Sequence, residues 1–375
     1  MNLKMGSVTK PSGKEQTNTM KEKKDFLHTP VEHIDITRYP VVELVEAMGK
    51  MAYSARDLAR AADIYHRMLA DPNCTVILCI AGSLVSAGLR KMFADMIRFR
   101  MADIVVATGA NIVDQDFFEA LGFRHYQGDL ILRTGVYDET LRELAIDRIY
   151  DTLIDEDQLR VCDDTVRQLA DQLEPRPYSS REFIFAMGAY LESRGLADEN
   201  SLVYQAYKCG VPIFCPAFSD CSAGFGLLLH QLSRGEEPKV SIDSVKDFVE
   251  LAQLKVHVGE TGLVMFGGGV PKNFAQDVVV ATDLMGTPAP MHKYAIQITV
   301  ADVRDGGLSG STLREATSWA KVDVGFEQMV FSEVTLAAPL LVGYAYHKGA
   351  WKNRQYRRLN DFLGVPALTV SQLEG

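Results

Sequence analysis

The sequence holds neither a CxxC pair nor an HExxH motif, which removes the usual frameworks for structural and protease-type zinc. GxGxxG and GxxxxGK(S/T) are missing too, so the common dinucleotide and P-loop fingerprints are not available as guides. No apolar run reaches membrane-spanning length. The first 25 residues are rich in Lys, Thr and Ser without an apolar stretch, which excludes an ordinary secretory signal. Basic residues are outnumbered: 39 Lys and Arg against 49 Asp and Glu give a net charge of -10. Nucleic-acid binding, which needs a clustered basic surface, is not expected; a cationic ligand would suit this balance. Cysteine is sparse, with six in 375 residues. Several sit in apolar runs such as 74–81 and 211–218, where free thiols pack as small hydrophobes. The chain reads as cytoplasmic, reduced and free of metal.

What is present is an alternation. Residues 1–25 are polar and aperiodic, and read as a flexible tail. From Val41 to Leu69 apolar residues recur at three- and four-residue steps, predicting a helix. Short apolar, β-branched runs then predict strands at 75–81, 103–108, 211–215, 263–267, 294–301 and 329–334. Helical patterns lie between them at 84–98, 114–121, 202–208, 245–256, 272–284 and 335–346, and the charged segment 138–174 reads as inserted helices. No linker or repeat divides residues 26–375, so one α/β domain is expected: a doubly wound, mostly parallel sheet flanked by helices.

In such sheets ligands bind beyond the carboxyl ends of the strands, so the turns there are the places to search. They are rich in small residues: Gly82-Ser83-Leu84-Val85-Ser86-Ala87-Gly88, then Gly109-Ala110-Asn111 with Asp114 and Gln115 following. Further on come Ser219–Gly224, Gly267–Lys272 and the loop Gly306–Thr312. Glycines let backbone amides approach a ligand, and hydroxyls add donors. Each turn alone is compatible with a plain tight connection. Together they suggest a nucleotide-sized ligand.

The segment Glu315-Ala316-Thr317-Ser318-Trp319-Ala320-Lys321 follows the last of these loops. Apolar surroundings can leave a lysine neutral and able to form an imine, and an indole face can hold a cationic amine. The plainer alternative is an amphipathic helix with Trp319 in the core and Lys321 in a surface pair.

Taken in order, these segments resemble the deoxyhypusine synthase family from about His28 to Val342. The landmarks are Gly82–Gly88, Thr108–Asp116, the run Pro212-Ile213-Phe214-Cys215-Pro216-Ala217-Phe218-Ser219-Asp220, Gly267–Lys272, and above all Glu315–Lys321. The resemblance implies a Rossmann-like fold with NAD as cofactor. It also implies a homotetramer with interface active sites, and Lys321 as the residue that carries an aminobutyl group from a polyamine as an imine. NAD contacts carry over to Gly82, Ser83, Leu84, Val85, Ser86, Gly109, Ala110, Asn111, Gln115 and Asp220. They continue at Gly268, Val300, Ala301, Asp305, Glu333 and Val334. Substrate contacts carry over to Asp114, Gln115, Gly306, Ser309, Gly310, Ser311, Thr312, Glu315 and Trp319.

The polyamine positions depart from the family pattern. Phe225 and Leu308 stand where the family has acidic residues, Asn273 where it has a histidine, and Gln115 replaces one of two adjacent glutamates. Fewer carboxylates weaken the hold on a long polycation. Three readings follow: aminobutyl transfer to a small amine, as in homospermidine synthases; deoxyhypusine synthesis on a protein lysine; or a catalytically silent NAD-binding relative.

Overall fold

The computed structural model describes residues 22–128, 135 and 138–364. Six strands form its central sheet: β1 Thr75–Ile80, β2 Ile104–Ala107, β3 Ile213–Phe214, β4 Thr261–Phe266, β5 His292–Thr299 and β6 Val322–Phe331. All neighbours pair in parallel. The order across the sheet is β6-β5-β4-β1-β2-β3. The chain thus winds outward from β1 in one direction and from β4 in the other, and the two halves part between those strands. That is the strand order and switch point of the Rossmann fold.

The central strands β1 and β4 are buried along their whole length because both their faces are covered. Val76, Leu78 and Ile80 of β1 join one core cluster, while Ile77 and Cys79 join the cluster on the opposite side. β4 divides in the same way, with Val264 and Phe266 on one side and Leu263 and Met265 on the other. Continuous apolar runs are therefore required. The flanking helices that matter below are α1 Tyr53–Ala70, α2 Arg90–Arg98, α3 Ser222–Arg234, α4 Gly269–Leu284, α5 Leu313–Ser318 and α6 Val334–Lys348.

Register places the turns. Ile80 lies level with both Ala107 and Phe266, Phe266 with Ile298, and Thr299 with Phe331. The segments that follow these strands therefore leave the sheet side by side on one edge.

Several expectations need correction. The helix expected over 41–69 is two, Val42–Met48 and α1, separated around Gly49 to Ala52. The last strand begins at Val322, not 329; its first half is mostly exposed and interrupted by Asp323 and Gly325, so no continuous apolar run marks it, and the expected end at 334 belongs to α6. Segment 138–174 is not all helix: strands Ile146–Ile149 and Thr152–Asp155 form a hairpin that also pairs antiparallel with Tyr126–Gln127. Two four-residue strands among charges carry too little alternation to stand out. The buried helix Ser180–Ser193 has no counterpart in the expected set; it is apolar on most sides, so no stripe marks it. The tail expected over 1–25 lies outside the described residues as far as 21. Its last part is anchored: Lys23 starts a single helical turn and its ammonium contacts Asp155 at 2.8 Å and Asp157 at 2.7 Å.

Candidate active site

The first side of the site is made of backbone. Gly82, Gly109, Asp220, Gly268 and Ser309 line a cavity of about 260 Å³ at the switch point. Ser83, Leu84, Ser86 and Glu333 line an adjoining cleft of about 610 Å³, roofed by the hairpin tip at Tyr150 and Asp151. Small residues are needed here for steric reasons. A Cβ on Gly109 would stand 2.4 Å from Cys221 Sγ, and one on Gly268 would stand 2.5 Å from the Ser309 Cα.

Not every expected cofactor residue faces these cavities. Asn111 and Gln115 are buried and brace the turn after β1. Asn111 Oδ1 accepts from the Leu84 amide at 2.8 Å and the Val85 amide at 3.1 Å, while its Nδ2 donates to the Gly82 carbonyl at 2.8 Å. Gln115 Oε1 accepts from the Ser86 amide at 2.8 Å. Val85 is buried, Ala110 half-buried, and Val334 opens α6 within the core. Asp114 accepts from the Ser222 amide at 2.7 Å, at the start of α3. Burial pushes its carboxyl up to about 7; the Ser222 amide and hydroxyl oppose this, and Asp163 and Asp220 add to it. Glu333 caps α6 by accepting from the Leu336 amide at 3.0 Å. Val300 and Asp305 are exposed and Ala301 half-buried; Asp305 Oδ1 accepts from the Gly307 amide at 2.6 Å.

The second side is made of side chains. Lys321 opens into a separate cleft of about 530 Å³ with Ser311, Glu315, Trp319, Leu308, Asn273 and Asp277 in its walls. The lysine is delivered by a tight exit from α5. Ala320 adopts φ 56, a left-handed conformation unusual for a residue with a Cβ, and the Lys321 amide donates to the Ala316 carbonyl at 3.1 Å. The Lys321 carbonyl then accepts from the His292 amide at 2.9 Å as the chain enters β6. Lys321 is not in the apolar pocket expected of it: its ammonium pairs with the Asp277 carboxylate. Its Nζ also lies 3.4 Å from Asn273 Oδ1 and 5.2 Å from the centre of the Trp319 ring. Trp319 is 63% exposed, so it belongs to the cleft and not to the core.

Between the two sides runs the loop Gly306–Thr312. Ser309 faces the glycine cavity, whereas Leu308 and Ser311 face the lysine cleft. Lys272 and Gln297 hold it from below. Lys272 Nζ donates to Gln297 Oε1 at 2.9 Å and to the Ser311 carbonyl at 2.5 Å. Gln297 Nε2 donates to the carbonyls of Gly267 at 2.9 Å and Ser309 at 3.0 Å. Burial lowers Lys272 to about 8; Glu315 opposes the shift and the positive Lys321 adds to it. Thr312 caps α5 by accepting from the Glu315 amide at 3.0 Å. Gly310 leaves no room for a side chain, since a Cβ would stand 2.2 Å from the Asp302 carbonyl oxygen; Gly306 turns the loop at φ 75.

Asp277 and Gln297 are the functional candidates that motif reading missed, and Lys272, which closes the Gly267–Lys272 run, gets no role of its own from the motif. Asn273, Asp277, Val280, Ala281 and Leu284 recur at helical spacing along α4, which is a visible stripe, but only the fold brings it to Lys321. On α3, Phe225, Leu228, Leu229 and Leu232 form an exposed apolar stripe, with Phe225 61% exposed.

The strand order and the glycine turns gathered at its switch point define a doubly wound α/β protein of the Rossmann type. A crystal structure from Entamoeba histolytica shares this fold at TM-score 0.55, over 84% of this chain and 97% of its own, with 19% identity. A sequence model described as deoxyhypusine synthase matches residues 43–345. The deoxyhypusine synthase-like protein of Chlorobaculum tepidum is 59% identical over 343 residues, covering 91% of this chain and 96% of its own. That of Coxiella burnetii is 56% identical over 340 residues, covering 91% and 95%. The chain belongs to the deoxyhypusine synthase family, a family of transferases.

Proposed function

We propose that this protein is an NAD-dependent, cytoplasmic aminobutyl transferase, passing the group from a spermidine-like donor through a Lys321 imine to a small amine acceptor, in the manner of a homospermidine synthase. The observation that carries the reading is the shared loop: one segment, Gly306–Thr312, walls both a glycine-lined cavity and the cleft that holds Lys321. The cavities at the switch point suit NAD, because Gly109 and Gly268 leave no room for a Cβ and Gly82 takes φ 65, leaving open backbone for a dinucleotide. Bound there, NAD would accept a hydride from the carbon beside a donor nitrogen and later return it.

The chain's own residues do the rest. Asp277, Glu315 and the Trp319 face offer a cationic amine two carboxylates and an aromatic surface. Lys321 supplies the amine that takes the group while diaminopropane leaves. Apolar Leu308 and exposed Phe225 leave fewer charges for a long polycation, which favours a short diamine acceptor over a bulky protein lysine. The apolar stripe on α3 supports self-association, to a homotetramer with sites at its interfaces.

Incubation with spermidine, NAD and putrescine, followed by mass spectrometry of the amines, tests this. Homospermidine formation is expected, and its loss in Lys321→Ala. Aminobutyl label appearing only on an added translation factor would replace the reading by deoxyhypusine synthesis. No turnover, with Lys321→Ala behaving as the wild type, would leave a silent NAD-binding relative. Light scattering on the eluting protein checks the tetramer.

A further inference from the structure

Lys321 meets a charged partner in its cleft. The Asp277 carboxylate contacts Nζ directly, and it is oriented by Asn273, whose Nδ2 donates to Asp277 Oδ2 at 2.7 Å while its Oδ1 lies 3.4 Å from Nζ. Asn273 and Asp277 stand one turn apart on α4, so the three groups form a closed triangle on a rigid helix. The other charged groups facing this triangle are Glu315, in the wall of the same cleft, and Lys272, buried behind it with its donors spent on Gln297 and Ser311. Of these charged groups, Asp277 is the one whose carboxylate pairs with Lys321 Nζ.

Resting on the reading of Lys321 as the imine-forming lysine, we infer that Asp277 is a catalytic residue, the group that takes the proton from the Lys321 ammonium and hands it to the departing amine. The step balances. Once the donor has been oxidised to an imine, with the hydride passed to the bound cofactor, the neutral Lys321 amine would attack its carbon. A new C–N bond forms, the bond to the leaving nitrogen breaks, and the group stays on Lys321 as a protonated imine. Lys321 must lose one proton before attack and the leaving amine must gain one; Asp277 accepts the first and donates it back. Asn273 holds the carboxylate in place throughout and is a positioning residue.

A purely structural ion pair makes the opposite prediction. A fixed carboxylate favours the charged ammonium, so its removal would free the amine and leave imine formation unchanged or faster. A proton acceptor leaves a slower reaction on removal, by about 10²-fold for general base catalysis. The two roles therefore differ in sign.

Butanal with cyanoborohydride serves as the probe, since reductive trapping reports the lysine amine without requiring donor oxidation. The butylated Lys321 peptide is timed by mass spectrometry in the full-length protein. Asp277→Asn is expected to slow trapping at Lys321 by about 10²-fold, with Asp277→Glu regaining part of the rate. Added acetate should accelerate trapping in Asp277→Ala and not in the wild type. An unchanged or faster rate in Asp277→Asn, or no response to acetate in Asp277→Ala, overturns the inference and leaves the Lys321 reading standing. Failure of the wild type to trap at Lys321 faster than at exposed lysines such as Lys24 overturns the Lys321 reading itself, and this inference with it.

Discussion

The two sides of the Gly306–Thr312 loop are built on different principles. On the glycine side, turns leave the sheet level with one another, and side chains such as Asn111 and Gln115 are spent on bracing backbone. On the lysine side, the surface is made by the side chains of Asn273, Asp277, Trp319 and Lys321, borrowed from α4 and the exit of α5. A surface of backbone suits a ligand read by shape, and it tolerates little change where a Cβ would collide, as at Gly109 and Gly268. A surface of side chains can alter its charge without altering the fold. That contrast gives a physical reason why Leu308 and Asn273 in the lysine cleft can differ from the family pattern while the glycine turns stand.

The comparison can be broken or sharpened by substitution. Lys321→Ala should reduce amine transfer by about 10³-fold or more, as loss of a nucleophile does, while NADH fluorescence titration shows cofactor affinity unchanged. If affinity fell too, the sides would not be separable. Gly268→Ala should damage both at once, because its Cβ displaces Ser309 in the shared loop; a shift of about 1 Å costs about 10²-fold in turnover. A variant that loses transfer but binds NADH normally would show that the loop does not couple them.

Lys272→Met probes the support beneath the loop through pH. Because the folded-state value is depressed from 10.5 to about 8, the cost of burying the charge is fully present below pH 8 and disappears as pH rises past 10.5. Denaturant melts should therefore show the variant gaining stability relative to wild type at pH 6 compared with pH 10, by about 3 kcal/mol. The reverse sign would mean that Lys272 is charged and paired in the folded state. The smallest effect is expected from Asn111→Ala, which strips acceptors from the Leu84 and Val85 amides. It should cost about 1–2 kcal/mol in stability and weaken NADH binding while leaving the butanal trapping rate at Lys321 unchanged.

Legibility followed locality. Five sheet strands, and the second half of the sixth, were readable because runs such as 76–80 and 263–266 are continuously apolar, and their alternation with helices pointed to a parallel sheet. The hairpin Ile146–Asp155 was not, since each arm has four residues and its hydrophobic partners, Phe26 and Leu141, come from other segments. Lys321 and Trp319 were readable as a motif, but the carboxylate paired with Lys321 was not, because Asp277 lies on another helix whose stripe does not say what it faces.

What the sequence determined by itself was the class of sheet, the turns that would crowd one edge, and the lysine to watch, because each depends on neighbours within a few residues. The tertiary structure alone decided which strands meet at the switch point, that one loop serves two cavities, and that a carboxylate stands against Lys321. Those facts join groups such as Asn273 and Lys321, 48 positions apart, and they are set by how α4 packs beside β5 and α5. The chain can show that α4 carries a stripe, but not which groups that stripe will meet, since the contacts are between faces of separate elements and not between neighbours.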